Sequence, residues 1–229
     1  MGKNKLKKFA DNLRFPNVFE NFDVTSPELL GENAEPVDLV GRWSAAHFGN
    51  EHPLTLELAC GRGEYSLALA ERFPGRNFIG VDIKGARIWK GASRALEAGL
   101  QNVAFLRTRI EMIDRFFAPG EIAEIWVTFP DPFPRKSKAN RRLTGPRFLD
   151  TYRRILAPGG LVHLKTDDPG LYEFTLETLA AEAKGELLYH NSDIYAAPLP
   201  FAELATRTYY EQMHLAEGKT IKYVRFTIH

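Results

Sequence analysis

Residues 128–144 read TFPDPFPRKSKANRRLT, and groups suited to two kinds of chemistry crowd into them. Asp131 lies between Pro130 and Pro132, whose rings restrict the backbone on either side and hold the carboxylate on a stiff segment. Phe129 and Phe133 add flat apolar faces on which a planar base could stack. Arg135, Lys136, Lys138, Arg141, Arg142 and Arg147 follow, with no acid anywhere in 135–147. Asp-Pro and Pro-aromatic pairs also build ordinary turns. The place straight after the apolar run EIWVTF favours a site: a fixed hydrogen-bond acceptor beside a cationic stretch suited to a polyanion.

A second group of chemically apt residues lies earlier, in LELACGRGEYS at 56–66. Gly61 and Gly63 let the backbone come close to a ligand, and the helix expected after them brings partial positive charge to its first turn. Asp82 closes the next apolar run, nineteen residues beyond Gly63, where a carboxylate can accept both hydroxyls of a ribose. A dinucleotide fingerprint requires a third glycine where Ser66 stands. Glu57 and Glu64 would repel a pyrophosphate but suit a cation. S-adenosylmethionine carries an ammonium and a sulfonium, so the charges favour a methyl donor over NAD.

These residues need elements to position them. Runs at 54–60, 77–83, 102–108, 124–129 and 161–166 read as strands, and 64–73, 85–98, 109–117 and 146–157 fit helical periodicity. For the last helix, Thr144 is the expected cap, with Pro146 in the first turn and Pro158-Gly159-Gly160 as the stop. The alternation predicts an α/β fold around a parallel sheet covered on both faces, with ligands beyond the carboxyl ends of the strands. Strands at 186–195 and 221–228 are expected to finish it as a hairpin-like pair. Residues 1–50 stand apart as a basic tail, with Lys3, Lys5, Lys7, Lys8 and Arg14, and a leading helix near 36–47; 51–229 form the main domain.

Composition narrows the function classes. The 229 residues are 44% apolar with 16 Phe and 8 Tyr, enough for a substantial core, and the net charge of +1 leaves partner choice to local patches. Cys60 is the single cysteine, so neither an intrachain disulfide nor a cysteine-built zinc site is expected. The six histidines show no metal-ligand spacing. No apolar run approaches the ~18 residues of a membrane span, and no signal peptide is visible. A cytoplasmic protein without metal or membrane partner is the expectation.

The chain resembles the bacterial tRNA (guanine-N7-)-methyltransferases, a class I S-adenosylmethionine-dependent family, over about residues 54–226. The likeness is carried by LELACGRGE, FIGVDIK, FPDPFPRKSKANRRLT, FLDTYRRILAPGG, KTDD and TYYE. It implies a Rossmann-like fold, mostly parallel with helices on both faces and a C-terminal antiparallel strand. It also implies methylation of guanosine N7 in the tRNA variable loop, giving 7-methylguanosine. By the same resemblance Asp131 is the catalytic or cofactor-proximal aspartate. Glu57 and Asp82, with Gly61, Gly63 and the backbone at Arg109, bind the cofactor; Arg135, Asp167, Thr208, Tyr209, Tyr210 and Glu211 bind the substrate. The chain departs from the family at Thr108-Arg109, where a Gly-Asp pair is usual, so adenine contact falls to backbone or Glu111. It departs again at Arg135, where lysine is usual, and guanidinium and ammonium differ in geometry. Two alternatives stay open: a tRNA-binding protein with an inactive cofactor site, and a methyltransferase of exocyclic amines. Monomer and homodimer are equally compatible with the sequence.

Overall fold

The computed structural model describes residues 3–182 and 185–229; of the basic N-terminal stretch, residues 1 and 2 lie outside them. The chain falls into two compact units, Met1–Ala118 and Pro119–His229.

In the first unit, strands β1 (Val18–Glu20), β2 (Leu54–Leu58), β3 (Asn77–Asp82) and β4 (Val103–Arg107) lie parallel in the order β1-β4-β3-β2. Strands β2 and β3 are buried along their whole length, which is why they read as near-continuous apolar runs. Helices α1 (Lys3–Asn12), α2 (Glu64–Arg72) and α3 (Gly85–Glu97) accompany them. Phe105 on β4 sits where three glycines meet: a Cβ on Gly63, Gly80 or Gly91 would come within 2.3, 3.0 or 2.8 Å of its ring. Helix α1 docks on α3 through Trp89, whose Nε1 donates to Asp11 at 3.0 Å, and through Asn12, which donates to the Gly85 carbonyl at 3.0 Å.

Two expected helices of this unit shrink. The stretch near 36–47 supplies only the short π-helical turn Trp43–His47, anchored by the buried Trp43 indole donating to the Phe116 carbonyl at 2.8 Å. The span 109–117 holds a 3₁₀ turn, Ile110–Arg115. Ile113, Phe116 and Phe117 are all buried and mimic an i, i+3, i+4 helical stripe. Their backbone follows the tighter i→i+3 pattern instead: Met112 donates to the Arg109 carbonyl and Phe116 to that of Ile113.

In the second unit, β5 (Ile122–Thr128) and β6 (Leu156–Thr166) are parallel, while β8 (Lys222–Ile228) runs antiparallel to both β6 and β7 (Gly185–Asn191). The expected C-terminal pair therefore forms, although a long connection separates its strands and β7 stops at Asn191, short of 195. Helices α4 (Pro146–Ile155), α5 (Pro169–Glu182) and α6 (Tyr209–Ala216) complete it. Helix α4 ends before the expected 157, because Leu156 turns extended and enters β6 at once. The Pro-Gly-Gly sequence is thus a bulge and no stop: between Ile122↔Leu156 and Glu124↔Leu161, β5 advances two residues and β6 five. Gly145, not Thr144, occupies the cap position of α4; the Thr144 hydroxyl pairs with Thr175 at 2.7 Å.

Among the described residues no helix is long and apolar enough to cross a membrane, and no group of three or more His, Cys, Asp or Glu is gathered for a metal ion.

Candidate active site

In the first unit the predicted cofactor residues meet at the carboxyl ends of β2 and β3. Past β2 the chain coils tightly, with Ala59, Gly61 and Gly63 all at φ between +59° and +65°. Asp82 holds this coil. One carboxylate oxygen accepts from Gly61 N–H at 2.9 Å and the other from Lys84 N–H at 2.8 Å. A carboxylate offers about four lone-pair directions, so two backbone bonds leave acceptor capacity for hydroxyl groups. Beyond Gly61, a Cβ would meet nothing within 4 Å, so the turn faces open space. Gly63 has a further physical reason beside the one read in the sequence: its missing side chain makes room for Phe105.

Glu57 is buried and bonds Ser66, accepting from its N–H at 2.9 Å and its hydroxyl at 2.5 Å. Gly63 at the start of α2 has no side chain to cap the helix, and the neighbouring strand supplies the carboxylate in its place. Negative charge at that helix end matches the partial positive charge of its free N–H groups. Cys60 lies between these acids; burial, reinforced by Glu57 and Asp82, pushes its thiol pKa well up and keeps it protonated. Arg109 follows the buried Thr108, has extended backbone and points an exposed side chain away from the core.

In the second unit the acceptor-side residues gather around the end of β5. Phe129 and Phe133, on either side of Pro130-Asp131-Pro132, both adopt left-handed backbone (φ 48° and 45°). For bulky residues this conformation costs on the order of 1–3 kcal/mol each and persists only where the surroundings impose it. The surroundings do so at both ends. Phe129 N–H donates to the Lys165 carbonyl at 2.8 Å. The Arg142 guanidinium donates to the carbonyls of Pro132 and Phe133 at 3.1 Å each and lies 4.3 Å from the Phe174 ring centroid. Asp131 itself is exposed, with no hydrogen bond to its carboxylate among the described residues.

Arg142 therefore leaves the cationic surface that the sequence suggested. Arg135, Lys136, Lys138 and Arg141 stay on it, exposed on and just before the 3₁₀ turn Lys136–Arg141. Arg135 contacts none of the other predicted substrate residues in any described hydrogen bond or ion pair. Asp167, just past β6, faces Lys219 Nζ at 3.3 Å and His214 Nδ1 at 3.5 Å, and the His214 ring lies 5.9 Å from that of Phe129. At the start of α6, Thr208 caps the helix by accepting from Glu211 N–H at 3.2 Å, and Tyr209 and Tyr210 are 55% and 51% exposed. Glu211 parts from that trio. It is 0% exposed and bonded to Lys165 at 2.8 Å and to the Tyr195 hydroxyl at 2.6 Å.

Lys165, Tyr195, His214 and Lys219 carry no site role in the sequence reading, and Arg142 carries a different one, as part of the cationic stretch. Lys165 left a visible signal, since a lysine inside the apolar strand LVHLKT must find partners when buried.

Comparison with known proteins agrees with this architecture. The family described as "Putative methyltransferase" matches residues 51–224. The chain is 47% identical over 228 residues to a tRNA (guanine-N(7)-)-methyltransferase of Bacteroides thetaiotaomicron, covering 100% of this chain and 87% of the relative. It is 51% identical over 215 residues to the protein of the same name in Porphyromonas gingivalis, covering 93% and 84%. Among solved structures, the 16S rRNA methyltransferase KamB superposes with a TM-score of 0.63 at 16% identity over 82% of this chain and 93% of that one. At that identity the likeness concerns the fold: this is the Rossmann-like class I architecture.

Proposed function

Because the chain belongs to the tRNA (guanine-N(7)-)-methyltransferase family, we propose that it methylates N7 of a guanosine in the variable loop of tRNA, using S-adenosylmethionine. The observation that carries this reading is Asp131: an exposed carboxylate on a loop pinned at both ends, beside an exposed basic turn. The cofactor, when bound, supplies an electrophilic methyl group. Glu57, Gly61, Gly63, Asp82 and the backbone at Arg109 would hold it. The fit rests on the acidic turn, the open space at Gly61 and the remaining acceptor capacity of Asp82.

Guanine N7 has an in-plane lone pair and no proton, so the protein need not deprotonate the attacking atom. Its task is placement, which by itself can lower a barrier by ~7–11 kcal/mol. Asp131 accepts hydrogen bonds from guanine N1–H and the exocyclic amine. Adenine cannot offer that pair, and the carboxylate counters the positive charge that grows on the ring. Tyr209, Tyr210 and the Phe129 and Phe133 faces bound the base, Asp167 lines the acceptor side, and Arg135 to Arg141 hold phosphates. A tRNA substrate implies work in the cytoplasm. The direct test is incubation with unmodified tRNA and methyl-labelled S-adenosylmethionine, followed by digestion to nucleosides. Label in 7-methylguanosine supports the reading; label in an exocyclic amine, or none, overturns it.

A further inference from the structure

Lys165 lies on β6 with its side chain entirely buried. An ammonium removed from water is costly unless each of its three N–H groups finds an acceptor. Here Nζ donates to the Glu211 carboxylate at 2.8 Å, the Thr206 carbonyl at 2.9 Å and the Leu204 carbonyl at 3.3 Å. Glu211 is equally buried and also receives the Tyr195 hydroxyl. Burial draws the Lys165 pKa down while Glu211 opposes the change, and burial followed by the bond to Glu211 pushes that of Tyr195 up.

The main chain of the same residue serves a second segment. The Lys165 carbonyl accepts the N–H of Phe129, the left-handed residue that opens the Asp131 loop. One residue thus ties two walls together: the Asp131 loop by its backbone, and segment 204–211, with Thr208, Tyr209 and Tyr210, by its side chain. Asp167 stands two positions further along the chain. Replacing a buried ion pair with apolar side chains of similar volume is often neutral or stabilising. The value of this pair therefore lies in geometry more than in stability.

We infer that Lys165 and Glu211 form a positioning pair for the methyl acceptor, fixing segment 204–211 against the strand that holds the Asp131 loop. Glu211 acts through Lys165 and does not touch the nucleotide. The inference rests on the tRNA methyltransferase reading above, and one control separates the two. If the wild-type protein leaves tRNA guanosine unmethylated, that reading fails before any variant is made.

The test compares Lys165→Met, Glu211→Gln and the double variant Lys165→Met/Glu211→Leu. Each is assayed for kcat and KM on unmodified tRNA, S-adenosylmethionine affinity by calorimetry, and Tm. Each single variant should lower kcat about 30-fold or more, with cofactor affinity within twofold of wild type. The double should lose no more than the worse single, because both changes break one device, and its Tm should match or exceed that of wild type. Tyr195→Phe, which leaves the Lys165–Glu211 contact in place, should lose only a few-fold. If Glu211→Gln loses far more than Lys165→Met and the losses multiply in the double, Glu211 contacts substrate and the inference is wrong. Lowered Tm with wild-type kcat for the folded protein would reduce the pair to scaffolding and also overturn it. Should Lys165→Met not fold, Glu211→Gln and the double still decide, since the double leaves no unpaired charge.

Discussion

The basic turn after Asp131 offers a quantitative test, because the structure separates its free cations from its structural one. Lys136, Lys138 and Arg141 are exposed and make no ion pair among the described residues. Arg142, one residue on, spends its guanidinium on the carbonyls of Pro132 and Phe133. If the three exposed cations each neutralise one phosphate of single-stranded RNA, each contributes about −0.7 to the slope of log affinity against log salt. Lys136→Ala/Lys138→Ala/Arg141→Ala should therefore flatten the slope by about 2. Between roughly 50 and 200 mM salt, wild-type affinity should fall about 20-fold more than that of the triple variant. The assay is tRNA binding by filter retention or fluorescence anisotropy across that range, with cofactor affinity and Tm as controls. Arg142→Ala is the internal contrast: it should leave the slope unchanged but lower turnover by loosening the Asp131 loop. A triple variant with the wild-type slope, or an Arg142 variant that flattens it, would refute this division of labour.

Three further outcomes follow from the geometry. Asp131→Ala should abolish most turnover while fold and cofactor binding survive, and Asp131→Asn, which keeps one acceptor, should lose less; single-turnover methylation of tRNA checks both. Asp82→Ala should weaken S-adenosylmethionine binding by about 1.5–3 kcal/mol, the range for a hydrogen bond to a charged group. Arg109→Ala should change it much less, and calorimetry showing the reverse order would place the adenosine elsewhere. His47, half-buried against the rings of Phe19, Trp43 and Phe48, has its pKa pushed down to about 4 by its removal from water. The unfolded chain therefore takes up a proton near pH 6.5 that the folded protein refuses until about pH 4, so His47's share of stability is present above pH 6.5 and lost as pH falls towards 4. His47→Phe should flatten the fall of Tm over that window, and an unchanged acid limb would show that another group sets it.

Much of this protein is decided locally. Pro130, Asp131 and Pro132 specify a stiff carboxylate wherever they stand, because proline restricts φ through its own ring. The runs at 54–60 and 77–83 could be read as buried parallel strands because burial on both faces removes the alternation of an exposed sheet. Tertiary structure decided matters that depend on which atoms are left without partners. Ile113, Phe116 and Phe117 show a helical stripe, yet the backbone between β4 and β5 takes a 3₁₀ turn. Arg141 and Arg142 are identical in type and adjacent, but Arg142 donates to the strained loop's carbonyls while Arg141 stays exposed, 6.0 Å from the Phe133 ring centroid. Glu211 sits in one motif with Thr208, Tyr209 and Tyr210, and the ammonium of Lys165, forty-six residues away in sequence, draws it inside. A charge is assigned to surface or interior by its partner, and partners distant in sequence become neighbours only when the chain folds.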